Sequence, residues 1–255
     1  MTKRKPSWPL LLFWVVGGAI LLYRIDYDLN TWYYGSTIAF YRQKYTDYDY
    51  LLHLPPGYHD FYGKRPLLIY LHGAGEVGKD VRILDDYAPY RFLGEAKEEI
   101  DFPFIVVSPM SEKGGWDAAR LALLVEQLIR EERFRFKIDP NRVYLTGFSM
   151  GGFGTFRTAC AFPDYFAAIV PLAGGGEPED AVKLQTVPTW AFHGDADEVV
   201  AYDLTKNMID AMEDLNHPNV KLTTLSGAGH GIPKMVYTRP DLYQWLLQQK
   251  KNAKP

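Results

Sequence analysis

The sequence predicts an α/β protein built on a mostly parallel, doubly wound sheet flanked by helices. Three observations predict it. Residues 67–71 and 104–107 are short, continuous apolar runs, the mark of strands buried on both faces. Residues 118–130 place Leu121, Leu124, Val125 and Leu128 at helical spacing. Strand and helix patterns then alternate to the end of the chain, which requires crossover connections and therefore parallel strands.

The elements follow in order. Residues 37–42 form a first edge strand. Residues 50–54 are a short strand stopped by Pro55, Pro56 and Gly57. After the strands at 67–71 and 104–107 and the helix at 118–130 come a strand at 142–146, a helix at 151–161 and a strand at 166–171. The series closes with a strand at 189–192, a helix at 203–215, a strand at 220–225 and a helix at 240–251. The interval between Pro171 and Thr189 is too short for a separate lid domain, so an open site is expected. Internal repeats and low-complexity tracts are not evident.

Composition narrows the functional classes. With 28 Lys plus Arg against 31 Asp plus Glu, the net charge of −3 provides no long-range attraction for nucleic acid. The single cysteine, Cys160, can form neither an internal disulfide nor a thiolate zinc site. There is no H-E-x-x-H, no cysteine cluster and no nucleotide fingerprint, so neither metal nor organic cofactor is implied.

Residues 6–23 contain no charged residue, follow Lys3, Arg4 and Lys5, and precede Arg24 and Asp26. Residues 1–23 therefore read as a signal anchor or a signal peptide. The anchor is favoured because Ile20, Leu21 and Leu22 continue the run past Gly17 and Ala19, the small residues before a cleavage point. Trp8, Trp14 and Tyr23 suit the membrane interface, with the basic residues kept cytoplasmic. The rest of the chain is then outside the cytoplasm, anchored or, after cleavage, secreted or periplasmic. Residues 24–46 read as a juxtamembrane linker leading into the edge strand, and 47–255 as one globular domain.

The strand at 142–146 runs into Gly147-Phe148-Ser149-Met150-Gly151 and then a helix, which is G-x-S-x-G in the strand–turn–helix context it requires. Such a turn raises the serine hydroxyl above the sheet at a helix N-terminus, where developing negative charge is favoured. A serine needs a base, normally a histidine oriented by a carboxylate, and in this context the chain order is serine, acid, histidine. His193, His217 and His230 follow Ser149. His230 sits in a glycine loop directly after the last strand, where it can reach the serine. His217 reads as a solvated turn histidine and His193 as a hydrogen-bonded structural group at a strand end. Asp195, Asp197 and Glu198 compete for the acid. Asp197 is preferred over Asp195 because the loop needs a few residues to turn back. For the oxyanion, one backbone N–H comes from Met150. The other comes from the loop His72-Gly73-Ala74-Gly75-Glu76, from Ala74 or else Gly75.

These segments, with Asp139-Pro140-Asn141-Arg142-Val143-Tyr144 ahead of the turn and Pro163-Asp164-Tyr165-Phe166 behind its helix, resemble the α/β-hydrolase superfamily. The likeness is to its phospholipase/carboxylesterase and dienelactone-hydrolase-like esterases. The branch it looks most like is the lidless "predicted peptidase" group of the prolyl-oligopeptidase-like clan. The resemblance spans about residues 48–250. It implies a triad of serine, the aspartate of His-Gly-x-x-Asp and a late histidine, which fall on Ser149, Asp197 and His230. It also implies an oxyanion donor after His-Gly, which falls on Ala74. One departure is Gly231-Ile232-Pro233 after the histidine, where such proteins often carry an acidic or small polar residue and then an aromatic.

The expected activity is hydrolysis of carboxylic esters, small or polymer-linked, through an acyl-enzyme. A peptidase with the same triad and a non-catalytic binding module at the membrane are the alternatives. Residues 76–92, 113–117 and 174–182 are the expected pocket walls, with Trp116 either a wall or a helix-entry anchor.

Overall fold

The computed structural model of the chain describes residues 32–33, 36–42, 48–58, 63–93, 102–130 and 137–251, those before 48 as backbone alone. The apolar run at 6–23 and most of the linker lie outside the described residues.

Among the described residues, nine strands form one sheet in the order β1-β2-β3-β5-β4-β6-β7-β8-β9. They are β1 (Trp32–Tyr33), β2 (Ser36–Arg42), β3 (Asp49–Leu54), β4 (Arg65–Leu71), β5 (Ile105–Pro109), β6 (Ile138–Phe148), β7 (Ala168–Leu172), β8 (Thr189–Gly194) and β9 (Val220–Leu225). Strands β1 to β3 pair antiparallel, and β3 meets β5 antiparallel. From β5 through β4 to β9 every pairing is parallel. The chain steps from β4 to β5 on one side and returns to β6 on the other. Ligand crevices of open α/β sheets form beyond the strand C-termini at such a reversal.

Helices α2 (Ala118–Arg130), α3 (Met150–Ala161) and α4 (Tyr202–Asp214) cover one face. Leu67, Ile69, Leu71, Val143 and Leu145 point into that layer against Leu124, Phe156 and Met208. The alternate residues Leu68, Tyr70, Tyr144, Val170 and Phe192 point the other way. There they pack on α5 (Pro233–Tyr237) and α6 (Pro240–Gln248) through Val236, Tyr237, Leu242 and Leu246. Two covered faces explain why the central strands carry no polar alternation. The short α1 (Pro89–Phe92) precedes the crossover to β5.

Several boundaries differ from the sequence expectation for local reasons. β6 begins at Ile138, before the expected 142, because Asp139 bonds the Asn141 N–H at 3.0 Å and Arg142 Nε at 2.8 Å, carrying the strand through Pro140. α6 stops at Gln248, and beyond it the Lys251 N–H binds the Asn141 carbonyl at 3.0 Å. α5 was not anticipated, since its five residues are too few to show a helical period. The β7–β8 connection contains a 3-10 stretch at Pro178–Leu184 and no lid. Among the described residues, no helix is long and apolar enough to cross a membrane.

Candidate active site

Ser149 joins β6 to α3 with φ 57° and ψ −117°, a left-handed conformation costly for a residue with a side chain. Its neighbours impose that conformation. The Ser149 N–H binds the Leu172 carbonyl at 2.9 Å, and the Ser149 carbonyl accepts the Phe153 N–H at 3.1 Å. A Cβ on Gly147 would stand 2.4 Å from the Gly151 carbonyl oxygen, one on Gly151 1.9 Å from that of Leu71, and one on Gly152 2.4 Å from that of Leu172. The three glycines let the first turn of α3 press between the ends of β4 and β7. The serine is thereby held above the sheet.

His230 comes from the loop after β9. Its Nε2 lies 2.9 Å from Ser149 Oγ, and its Nδ1 lies 2.7 Å from Asp197 Oδ2. Nδ1 faces a carboxylate and therefore carries the proton, which leaves Nε2 as the acceptor for the serine hydroxyl. The other carboxylate oxygen, Oδ1, accepts the N–H groups of Val199 at 2.8 Å and Val200 at 2.9 Å. Burial pushes the Asp197 carboxyl up, but the His230 bond and the two backbone donors outweigh it and hold the group below the usual carboxylate range. Phe148, next to the serine, packs on the His230 ring at 4.8 Å between centroids.

Asp195 has a different partner. Its Oδ1 accepts the Gly227 N–H at 2.6 Å, and the Ala196 N–H binds the Ala228 carbonyl at 3.1 Å. These bonds fasten the loop carrying Asp197 to the loop carrying His230. Gly227 adopts φ 70° in this turn. Gly194 has no room for a side chain, since a Cβ there would lie 2.1 Å from the Ala228 carbonyl oxygen.

On the opposite side, β4 ends in His72 and Gly73, and Ala74–Glu76 form a 3-10 turn. The Glu76 carboxylate takes the N–H groups of Gly73 and of Glu76 itself. A 3-10 turn leaves its first N–H groups without internal acceptors. Ala74 and Gly75, at the start of this turn, are exposed, and they follow Leu71, whose carbonyl lies against Gly151. Met150 opens α3, and its Sδ accepts the Gly115 N–H at 3.1 Å.

His72 was not anticipated as a framework residue. Its buried ring accepts the Ser111 N–H at Nε2 (2.9 Å) and donates from Nδ1 to the Gly73 carbonyl (2.6 Å). The signal lay in its place at the end of a buried strand, where a polar side chain must be satisfied. Burial pushes the ring down to about 4 from its ordinary 6.5, against the bond to Gly73. The unfolded chain therefore binds a proton between these values that the folded chain refuses, so this contribution to stability is lost as pH falls from about 6.5 to about 4. The expected loss is about 3 kcal/mol. Urea unfolding midpoints of wild type and His72→Gln across this range would measure it, the variant showing a shallower pH dependence.

The remaining expectations fare differently. His193 is buried and hydrogen-bonded at Thr205 and Val200, as expected of a structural group. The expectation of a solvated His217 is corrected. The ring is buried, with Nε2 2.9 Å from the Leu184 carbonyl and Nδ1 accepting the Asn219 N–H at 3.1 Å, because the α4–β9 turn tucks beneath Pro178–Leu184. Trp116 is buried and donates to the His72 carbonyl at 3.3 Å, an anchor for the start of α2. It also borders an open cavity of about 870 Å³ whose walls include Lys113, Asp117, Arg157 and Phe162 but not Ser149, Asp197 or His230.

Residues 101–238 match the family described as phospholipase/carboxylesterase. The chain is similar to the bifunctional acetylxylan esterase/xylanase of Neocallimastix patriciarum, 28% identical over 60% of this chain and 22% of that protein. It is also similar to poly(3-hydroxyalkanoate) depolymerase C of Paucimonas lemoignei, 31% identical over 48% of this chain and 30% of that protein. The chain thus spans less than a third of either relative. A solved thermostable esterase superposes with a TM-score of 0.70 at 25% identity, covering 85% of this chain and 64% of that one. The fold is that of the α/β-hydrolases.

Proposed function

The chain belongs to the phospholipase/carboxylesterase family, and we propose that it is a serine hydrolase that cleaves carboxylic esters. One observation carries the reading. Ser149 Oγ, the His230 ring and the Asp197 carboxylate form an unbroken chain at 2.9 and 2.7 Å, with the serine held in a strained turn at the start of α3.

In this mechanism Ser149 Oγ attacks the ester carbonyl carbon while His230 Nε2 takes its proton. Asp197 holds the ring in the tautomer that leaves Nε2 free to do so and stabilises the imidazolium. The N–H groups of Ala74 and Met150 receive the oxyanion. The tetrahedral intermediate collapses, the alcohol leaves with the proton from His230, and the acyl group remains on Oγ. Water, deprotonated by His230, then releases the acid and restores the serine.

For the substrate we favour esters carried on a polymer. The names of the two curated relatives support this, one an acetylxylan esterase and the other a polyester depolymerase. So does the short connection from β7 to β8, which puts no lid domain over the serine. Residues 6–23 behind Lys3, Arg4 and Lys5 support a location at or beyond the membrane, where such polymers occur.

A fluorophosphonate probe is expected to label Ser149, and nitrophenyl acetate, longer acyl and feruloyl esters to be turned over faster than a peptide amide. Absence of labelling in folded protein would sink the hydrolase reading and favour a binding module. Faster cleavage of the amide would make the chain a peptidase.

A further inference from the structure

Beside the serine site lies the open cavity of about 870 Å³, which the proposed mechanism does not use. Its volume falls in the range of about 300–1,000 Å³ usual for ligand pockets. The walls come from the segment after β5, the first turn of α2 and one side of α3. Helical spacing puts Met150, Gly154, Arg157 and Ala161 on one stripe of α3. The stripe starts at the residue after Ser149, and its far end, Arg157 and Ala161, lines the cavity. Between the two ends Trp116 lies against the helix, since a Cβ on Gly154 would stand 2.5 Å from its Cδ1. Gly115, also in the cavity wall, donates its N–H to Met150 Sδ at 3.1 Å. Serine site and cavity therefore meet at Met150. At about 1.5 Å per residue, Arg157 is about 12 Å along α3 from the serine.

The charges of this wall are unevenly engaged. Lys113, Arg120 and Arg157 share it with Glu112 and Asp117. Asp117 is committed to the start of α2, where its Oδ1 accepts the Arg120 N–H at 2.9 Å and its carbonyl the Leu121 N–H at 3.0 Å. Arg157 is the one charged side chain of α3, a helix otherwise made of small, apolar and threonine residues. Lys113 and Arg157 are exposed, and among the described residues neither side chain has a hydrogen bond or an ion pair. In a chain of net charge −3, two unengaged cations in one concave wall form a local site for an anion.

We propose that the cavity is a remote subsite for the polymer, holding a carboxylate carried on a sugar while the ester lies at Ser149. The inference rests on the polymer-ester reading and adds the charge of the polymer. A polyester carries no anion along its chain, so the two cations would contribute nothing to holding it. An acidic polysaccharide does carry carboxylates, and the Arg157 guanidinium can meet one with two parallel N–H bonds. Lys113 adds a flexible donor from the segment after β5. Phe162, half-buried in the same wall, offers an apolar surface to the C–H face of a sugar ring. The span of about 12 Å puts ester and carboxylate on different sugars of one chain. Because both cations are exposed, the preference is modest and weakens with salt.

Two measurements test the proposal. In the full chain carrying Ser149→Ala, calorimetry should show trigalacturonate binding about three- to tenfold tighter than its neutral counterpart galactotriose at low salt. The difference should vanish in about 0.5 M NaCl and when Lys113→Gln and Arg157→Gln are added. Equal binding of the two sugars, or a preference that survives both substitutions, overturns the proposal. So does inorganic phosphate binding as tightly as trigalacturonate, which would make the cavity a simple anion site. In wild type, KM for an acetylated xylan bearing glucuronate should be about three- to tenfold lower than for the same xylan stripped of glucuronate, with kcat alike. The Lys113→Gln, Arg157→Gln double variant should lose that ratio. A wild type that cleaves nitrophenyl acetate but treats the two xylans alike has the proposed chemistry without the subsite. If wild type cleaves no ester, the functional reading fails, and the calorimetry still decides the subsite.

Discussion

Replacing Ser149 with alanine is expected to lower kcat for a nitrophenyl ester by about 10⁵–10⁶-fold while the protein stays folded. The change deletes one oxygen from a half-buried corner of the turn. Alanine accepts φ 57° about as readily as serine, and the N–H bond to Leu172 and the glycine contacts do not involve the hydroxyl. Stability should therefore shift by no more than about 1 kcal/mol. Burst-corrected kinetics with thermal unfolding on the same preparation separate the two effects, and equal rates for variant and wild type would remove the enzyme reading. Within the same experiment the two aspartates should behave unequally. Asp197→Asn disturbs the His230 tautomer and should cost about 10⁴-fold, the scale seen where a triad acid is neutralised. Asp195→Asn disturbs the bond to the Gly227 N–H and should cost about tenfold, through the loop that carries His230. The reverse order would transfer the acid to Asp195.

Gly151→Ala is expected to remove roughly 4 kcal/mol or more of stability and to leave little folded protein. Its new methyl would stand 1.9 Å from the Leu71 carbonyl oxygen and 2.6 Å from the carbon. Both are backbone atoms, held in register by the β4–β6 pairing of Leu71 with Gly147. No rotamer relieves the contact, so either α3 moves off the sheet or β4 shifts at the residue that leads into His72. Each movement also pulls the serine away from the loop bearing Ala74. Gly231→Ala is the comparison, since nothing lies within 4 Å of the added carbon, and its stability should stay within about 1 kcal/mol of wild type. Urea titrations of both variants would measure the contrast. A Gly151→Ala protein as stable as wild type would mean that the turn is not packed as described.

Much of this is legible in the amino-acid sequence. The buried strands declared themselves because both faces of the sheet are covered, so residues 67–71 and 104–107 had to be apolar throughout. The serine turn was legible because its glycines answer a local steric demand. What escaped was set by contacts distant in sequence. His217 looked solvated in Asn216-His217-Pro218-Asn219, and only the packing of that turn under Pro178–Leu184 buries it. α5 was invisible at five residues. The residues expected as pocket walls at 113–117 do border a cavity, but one that does not include the serine.

The sequence by itself determined the class of fold, the conformation demanded at Ser149, and the order in which serine, carboxylates and histidine leave successive strand ends. These follow from periodicity, glycine spacing and chain order, all local properties. Only the tertiary structure decided which carboxylate meets which partner. Asp195 and Asp197 are two residues apart in one loop and chemically alike. The pairing of β8 with β9 brings the two loops side by side, directing one carboxylate to the Gly227 N–H and the other to His230. The same packing set His193 between Thr205, Val200 and Asp197, a surrounding that depends on α4 folding back on β8 and that no run of neighbouring residues encodes.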